Sequence, residues 1–474
     1  MRHHVPTDPR AIASPVGLRS RALACALTLL AAAPLGAQPS TTSNVAPLRL
    51  GDLYAQVRRD NPRLAAARAL GAAANARTRG VRRPPDPQLQ LGLMNYTIPG
   101  LTPMATLGMT QLQLMQMLPL GGKLALAGRA ADAQAGAAGE RAADAWWTVR
   151  SQTAMAFYDL YAVDRRLEVA RETLRLLRDV AATAESMYRV GSGRQADVLR
   201  AQVEIARMTE DTLRMLAMRR TMSARLDALS DRATGSITGS PALPQFPADI
   251  PDVLWLDSVS SERPMIRAGR EEVRAADAAA RLARRELLPD LQVGVQYAQR
   301  RSTMPGAATA DMPAERTTER MGSLMLGASI PIFARDRQLR MRDEANAMKA
   351  MAEAEVAAMR AETRAGMAQA IAELERARRL ALLYRTTVLP QAEAAAASAL
   401  SAYRVGQVDF MTLLDDRMTV NRYRQELFTL VADEGKAWAE LEMLSGHQLL
   451  DPDSVATDRS VATHAADAAK DGAR

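Results

Sequence analysis

Two hydrophobic periods alternate along the chain, and the change from one to the other is abrupt. Apolar or small residues fall at Leu160, Val163, Leu167, Ala170, Leu174, Leu177, Ala181, Ala184 and Tyr188, an unbroken three-four spacing that predicts a helix with a heptad seam. Val198, Ala201, Ile205, Met208, Thr212, Met215, Met222, Leu226 and Leu229 repeat the spacing on a returning helix, interrupted only by Arg219. Four other stretches alternate residue by residue, as strands do: Gln88 to Asn95, Leu107 to Leu118, Leu291 to Arg300 and Met321 to Ile330. In the third, Leu291, Val293, Val295 and Tyr297 are set against Gln292, Gly294, Gln296 and Gln299; in the second, Leu112 and Leu114 alternate with Gln111 and Gln113. Each stretch is about 10 residues, the length with which a tilted strand crosses a bilayer. A soluble sheet with one wet face has the same periodicity, so the helices around the strands must decide between the two.

Gly121 to Val190 contains no proline and spans about 70 residues, or about 105 Å at 1.5 Å per residue. No compact domain holds such a helix. The return from Arg194 to Ser230 covers half that distance before a segment rich in Gly and Pro, Asp231 to Pro251, and a helix from Asp252 to Leu288 covers the remainder. A second descent, Arg335 to Arg404, and a half-length ascent, Asp409 to Ser445, follow the same plan, and the N-terminal helix Leu50 to Val81 supplies the missing upper half. Both ends of the ordered chain should therefore meet near the middle of a long rod, beside residues 231–251. Pro390 predicts a kink in the second descending helix, because a mid-helix proline loses a hydrogen bond and crowds the preceding turn.

The plan is a duplication. Asn61-Pro62-Arg63-Leu64 recurs as Arg263-Pro264-Met265-Ile266, Pro85-Asp86 as Pro289-Asp290, Leu118-Pro119-Leu120 as Ile330-Pro331-Ile332, and Tyr188-Arg189-Val190-Gly191 identically as Tyr403-Arg404-Val405-Gly406. The separations grow slowly, through 202, 204, 212 and 215 residues (264 − 62, 289 − 85, 331 − 119, 403 − 188), so order is kept. The resulting organisation is a signal peptide over 1–37, an N-terminal extension over 38–48 and a first repeat over 49–230. A linker over 231–251, a second repeat over 252–447 and a tail over 448–474 complete it.

Arg19 and Arg21 precede an apolar run from Ala22 to Leu35, and Leu35-Gly36-Ala37 is a small-residue cleavage site before Gln38, the pattern of an export signal too short to span a bilayer. The one cysteine, Cys25, lies inside that signal, which leaves a mature chain without disulfides, thiol chemistry or cysteine-bound metal. Arginine carries nearly all of the positive charge behind the net +8, with Asp and Glu interspersed on the same helices. That pattern describes a solvated helix surface and not a nucleic-acid footprint. The tail after Pro452, rich in Ala, Asp, Ser and Thr, reads as disordered.

A strand pair, a proline turn, a long helix, a Tyr-Arg-Val-Gly turn and a returning helix, repeated behind a signal peptide, resemble the TolC-type outer-membrane efflux proteins over roughly Leu50 to Gln448. The specific parts are the strand–helix junctions Pro119-Leu120-Gly121-Gly122-Lys123 and Pro331-Ile332-Phe333, and the two Tyr-Arg-Val-Gly turns. The resemblance implies a mainly α fold with a membrane β-barrel: a homotrimer whose four strands per subunit close a twelve-stranded barrel, continued by a periplasmic α-helical barrel. Four strands alone would leave open edges that hydrocarbon cannot satisfy. It implies an exit duct across periplasm and outer membrane, working with a periplasmic adaptor protein and an inner-membrane transporter in efflux or type I secretion, and surrounded by outer-membrane lipid.

Adaptor docking is implied for the tips, at Tyr188, Arg189, Val190 and Gly191 with Asp197, and at Tyr403, Arg404, Val405 and Gly406 with Asp409. Closure by acidic rings is implied for the last ascending helix, where Thr412, Asp415 and the adjacent Asp416 stand. Thr412 departs from the family's aspartate, and Val408 stands where some members carry an arginine pairing with the acid that Asp197 matches. Arg404 and Asp409 are the candidates to replace that link. Plain turns and a solvated acid are the simpler readings of these positions.

Methionine, a soft ligand, raises the question of metal cargo, but its 25 residues are scattered without His or Cys beside them. His3 and His4 belong to the signal, and His447 and His464 stand apart, so neither a metal site nor a cofactor is expected. Gly191-Ser192-Gly193 is a turn with no strand before it, and nothing resembles a phosphate loop or a nucleophile triad. The expectation is a channel and not an enzyme. The alternative is a periplasmic coiled-coil adaptor or scaffold, which would pair a single helical hairpin with compact β domains.

Overall fold

A computed structural model describes residues 47–104, 108–303 and 316–454. The signal with Cys25, His3 and His4, residues 38–46 of the extension, Leu107, His464 and the tail from 455 lie outside the described residues. In chain order the elements are α1 (Leu50–Asp60), α2 (Pro62–Val81), β1 (Gln88–Met94), β2 (Met109–Leu118), α3 (Lys123–Arg189) and α4 (Gln195–Leu229). There follow α5 (Val253–Ser260), α6 (Pro264–Arg285), β3 (Asp290–Thr303), β4 (Arg316–Ser329), α7 (Gln338–Leu383), α8 (Leu389–Arg404) and α9 (Phe410–Ser445).

The 67 residues of α3 make a single helix about 100 Å long. Near its start α3 packs on α2 and α6, with Gly71 against the Ala138 carbonyl and Gly136 against Glu271. Toward its end it packs on α4 and α9, where Leu167, Ala170, Leu177, Val180 and Ala184 meet Met208, Met215, Leu413 and Leu414. Val180 apart, the α3 residues of this seam belong to the heptad stripe of the sequence. No described helix is long and apolar enough to cross a membrane.

Two helices expected to be continuous are broken. Leu50 to Val81 divides at Asn61, whose Oδ1 accepts from the Arg63 and Leu64 amides (2.9 and 3.3 Å) while its Nδ2 donates to the Leu229 carbonyl at 2.8 Å. Asn61 thus caps α2 and ties it to the end of α4, with Pro62 in the first helical turn, where a missing N–H costs nothing. Asp252 to Leu288 divides at the equivalent Arg263-Pro264, with Arg263 Nε on Asp144 at 3.1 Å. In the second descending helix one π-helical turn, Tyr384–Val388, joins α7 to α8 just before Pro390. The extra residue per turn accommodates the absent donor without a chain break.

The middle of the rod is a belt. Leu48 donates to the Ser240 carbonyl (3.0 Å) and accepts from the Ala242 amide (2.9 Å). Asp227 receives the Gly235 and Ile237 amides, and Arg378 on α7 holds the Pro247 and Ala248 carbonyls together with Glu434. Residues 448–454, placed by sequence in a disordered tail, instead pack here: Leu450 is buried, the Gly51 amide donates to the Pro452 carbonyl (3.3 Å), and the Gln245 amide donates to Ser454 Oγ (3.1 Å). The first and last described segments meet at residues 231–251.

Candidate channel wall, junctions and tips

The strands form one antiparallel sheet in the order β1-β2-β3-β4. Residues directly opposite one another share a face, so the register sorts the side chains. One face carries the rows Leu89, Leu114, Val295, Leu324 and Leu91, Leu112, Tyr297, Gly322. The other carries Gln90, Gln113, Gln296, Ser323 and Gln88, Met115, Gly294, Met325. Gln296 Nε2 donates to Gln111 Oε1 at 2.7 Å on this second face. Gln299, grouped by sequence with the polar set, pairs with Thr110 at the outer end of the apolar face. Leu91, Leu324 and Leu326 are 72, 78 and 75 % exposed, so no described residue covers them on the apolar face.

Methionine follows a rule that composition concealed. Met94, Met109, Met115, Met117, Met321 and Met325 all stand on the glutamine face, and no described strand methionine stands on the leucine face. The sequence carried this signal in the parity of their positions, but only the register makes parity legible across strands.

Pro119 and Pro331 end the strands that lead into α3 and α7. After Pro119, Gly121 and Gly122 take left-handed conformations (φ 72° and 74°) that glycine adopts freely. They deliver Lys123 into a nearly closed site at the base of the sheet, where Nζ donates to Asp290 Oδ1 (2.8 Å) and the Leu288 carbonyl (2.9 Å) and faces Glu286 at 3.4 Å. This latch joins the start of α3 to the crossing from α6 into β3, and only the end-to-end fold reveals it.

At the far end both hairpins turn in the same way. Gly191 and Gly406 have φ of 75° and 73°; their amides donate to the Tyr188 and Tyr403 carbonyls (both 3.0 Å), and the next amides, of Ser192 and Gln407, donate to Met187 and Ala402 (both 2.9 Å). These are paired helix-ending caps of the Schellman type. The identical tetrapeptides nevertheless stand in different surroundings. Tyr403 is 5 % exposed and meets Phe410 edge-on at 5.6 Å, whereas Tyr188 is 45 % exposed. Burial, and then the carboxylates of Asp197 and Asp409, push the Tyr403 hydroxyl pKa above its usual value. One tyrosine therefore gathers the acids of both tips. Arg189, Val190, Arg404 and Val405 project into solvent, and Arg404 makes no ion pair with Asp197 or Asp409.

On α9, Thr412 and Asp415 are exposed one turn apart, Leu413 and Leu414 point into the core behind them, and Asp416 is half-buried. Neither aspartate forms an ion pair with a described residue. Sequence reasoning missed a polar layer above them. Arg424 bridges Glu172 (3.1 Å) and Glu393 (2.6 Å), Thr173 Oγ1 donates to Asn421 Oδ1 (3.0 Å), and Arg417 lines the same cavity of about 350 Å³ with its Nε unpartnered among the described residues. Its members come from α3, α8 and α9, and no local motif links them.

A family model described as outer membrane efflux protein matches residues 53–231 and 255–447. Among solved structures, the outer-membrane channel OprN is 20 % identical, with a TM-score of 0.70 over 84 % of this chain and 90 % of that one. CusC, described through its folding and transmembrane channel formation, is 18 % identical (TM-score 0.72; 85 % and 93 % covered). The outer membrane protein VceC of Vibrio cholerae is 16 % identical (TM-score 0.71; 84 % and 96 % covered). At these identities the likeness is one of fold. No curated protein matches the chain.

Proposed function

The chain belongs to the outer membrane efflux protein family, and from that premise we propose that it is the passive exit duct of a tripartite pump, assembled from three copies and without catalytic chemistry of its own. Its place is the outer membrane, with the helices in the periplasm. The observation that carries the reading is the exposed sheet: a leucine and valine face with no described residue over it, backed by a face of glutamine, methionine, glycine and serine. That division suits lipid on one side and a wet bore on the other. A periplasmic scaffold has no use for such a sheet.

In this reading the tips at Tyr188–Gly191 and Tyr403–Gly406, with Asp197 and Asp409, receive a periplasmic adaptor protein, and an inner-membrane transporter supplies the energy. Asp415 of each copy, with Asp416 and Thr412 beside it, forms an acidic constriction that favours cations over anions. Planar-bilayer recording from the purified protein tests both parts. Wild type is expected to conduct, and Asp415→Ala to raise conductance and weaken cation preference. No conductance under any voltage overturns the duct; unchanged conductance and selectivity in the variant removes Asp415 from the constriction.

A further inference from the structure

Two constant shifts relate the strand pairs of the two halves. A shift of 204 residues (289 − 85) carries Pro85-Asp86 onto Pro289-Asp290, and one of 212 (331 − 119) carries Pro119 onto Pro331. Applied to the sheet, they carry Gln88 opposite Met115 onto Gln292 opposite Gly327, and Met94 opposite Met109 onto Ala298 opposite Met321, and all four are pairs of the fold. The two hairpins thus share one register, residue for residue.

Between the hairpins lies the joint of β2 with β3, closed at its base by the Lys123–Asp290 latch. The shifts carry Lys123 onto Arg335 and return Asp290 to Asp86. In the single chain Arg335 and Asp86 stand at the bases of the two outer strands, β4 and β1. Both are exposed, and neither forms a hydrogen bond or ion pair with a described residue. Each is half of a latch whose internal copy is complete.

The same shifts turn the β2–β3 register into a register for β4 on β1 of a second copy. Leu114 opposite Val295 becomes Leu326 opposite Leu91, Leu112 opposite Tyr297 becomes Leu324 opposite Leu93, and Met115 opposite Gly294 becomes Gly327 opposite Gln90. Leucine meets leucine on the apolar face, and Gly327 meets Gln90 on the glutamine face, so both faces run unbroken across the joint. A slip of one residue would invert them.

We propose that copies of this chain join edge to edge in this register, with Arg335 paired to Asp86 of the partner subunit as the intersubunit counterpart of Lys123–Asp290. This rests on the reading of the sheet as one segment of a channel wall. Arginine in place of lysine keeps the charge and adds a fork suited to a carboxylate.

Directly opposed strand residues lie about 5 Å apart at Cα, within disulfide range, and the one cysteine of the chain, Cys25, precedes the described fold. In the full-length, detergent-solubilised protein, Leu91→Cys with Leu326→Cys is expected to give reducible chain-to-chain links on oxidation, and the mismatched Leu93→Cys with Leu326→Cys roughly tenfold fewer. Asp86→Arg or Arg335→Asp should lower the temperature at which the oligomer dissociates, and the exchange of both should restore it. An intact oligomer that links only the mismatched pair, links neither, or is not rescued by the exchange overturns the joint while leaving the channel standing. A wild-type chain that never assembles overturns the channel reading with it.

Discussion

Arg150 on α3 and Glu442 on α9 form a two-pronged buried ion pair, Nε to Oε2 at 3.0 Å and Nη2 to Oε1 at 3.2 Å, with both side chains almost wholly enclosed. The guanidinium also lies 4.1 Å over the ring of Tyr54 on α1. Glu442 Oε1 further accepts the amides of Leu449 and Leu450 at 2.8 and 2.9 Å. One carboxylate therefore binds the first repeat, the second repeat and the segment that closes the belt.

Removing one partner of a buried pair strands the other, at a cost of about 3–5 kcal/mol. Glu442→Ala should lower the melting temperature of the purified protein markedly and release residues 448–454 to protease. Thermal circular dichroism with limited proteolysis checks both. A melt within a degree of wild type would show that the pair contributes little beyond its own desolvation.

Tyr158 and Gly435 make opposite predictions at one contact. A Cβ on Gly435 would collide with the ring edge of the fully buried Tyr158, so Gly435→Ala should destabilise by about 1–3 kcal/mol through overpacking. The Tyr158 hydroxyl has no hydrogen-bond partner among the described residues. Tyr158→Phe should accordingly be neutral or stabilising by up to about 1 kcal/mol. Denaturation of the two variants side by side separates the effects.

Three tyrosines should resist alkali. Burial raises the pKa of Tyr54, Tyr158 and Tyr403 above the ordinary phenol value of 10.0, and for Tyr403 the carboxylates of Asp197 and Asp409 add to it. Because the folded-state pKa is the higher, the native state keeps these protons when the unfolded chain has lost them. Their stabilisation is complete below pH 10 and is lost as pH rises beyond it. Titration by tyrosinate absorbance should show a late fraction that ionises only as the fold opens, and Tyr403→Phe should diminish it.

At the tips, Gly191 and Gly406 have open space around them, yet their left-handed backbone penalises any L side chain. Alanine at either is expected to cost about 1–2 kcal/mol locally, loosening the turn without disturbing the belt. Hydrogen exchange confined to the residues around 186–193 or 401–408 is the readout; a global change in protection would place the effect elsewhere.

The sequence disclosed whatever local periodicity controls. The strand faces apart from Gln299, the seam from Leu160 to Ala184 and the doubled turn follow from spacing, and the folded chain carries them at those positions. Asn61 and Arg263 each precede a proline, and a residue before proline resists helical geometry, so the two helices break there and not where length alone would end them. Long-range polar pairing was not legible. Nothing near Glu442 in sequence announces Arg150, and the unlike fates of Tyr188 and Tyr403 are set by packing and not by their identical neighbours. The same holds for Arg424 between Glu172 and Glu393.

The two hairpins keep one register although their shifts differ by eight residues (212 − 204), so all of that extra length falls between Ala298 and Met321 relative to the stretch between Met94 and Met109. The outer ends of the strands are thus where this architecture accepts insertions, while the pleat beneath stays in step. A short epitope grafted there would leave the wall undisturbed and stand on the cell's exterior, a handle for antibodies on living bacteria. The same graft beside Lys123 would have to force open a closed ion site.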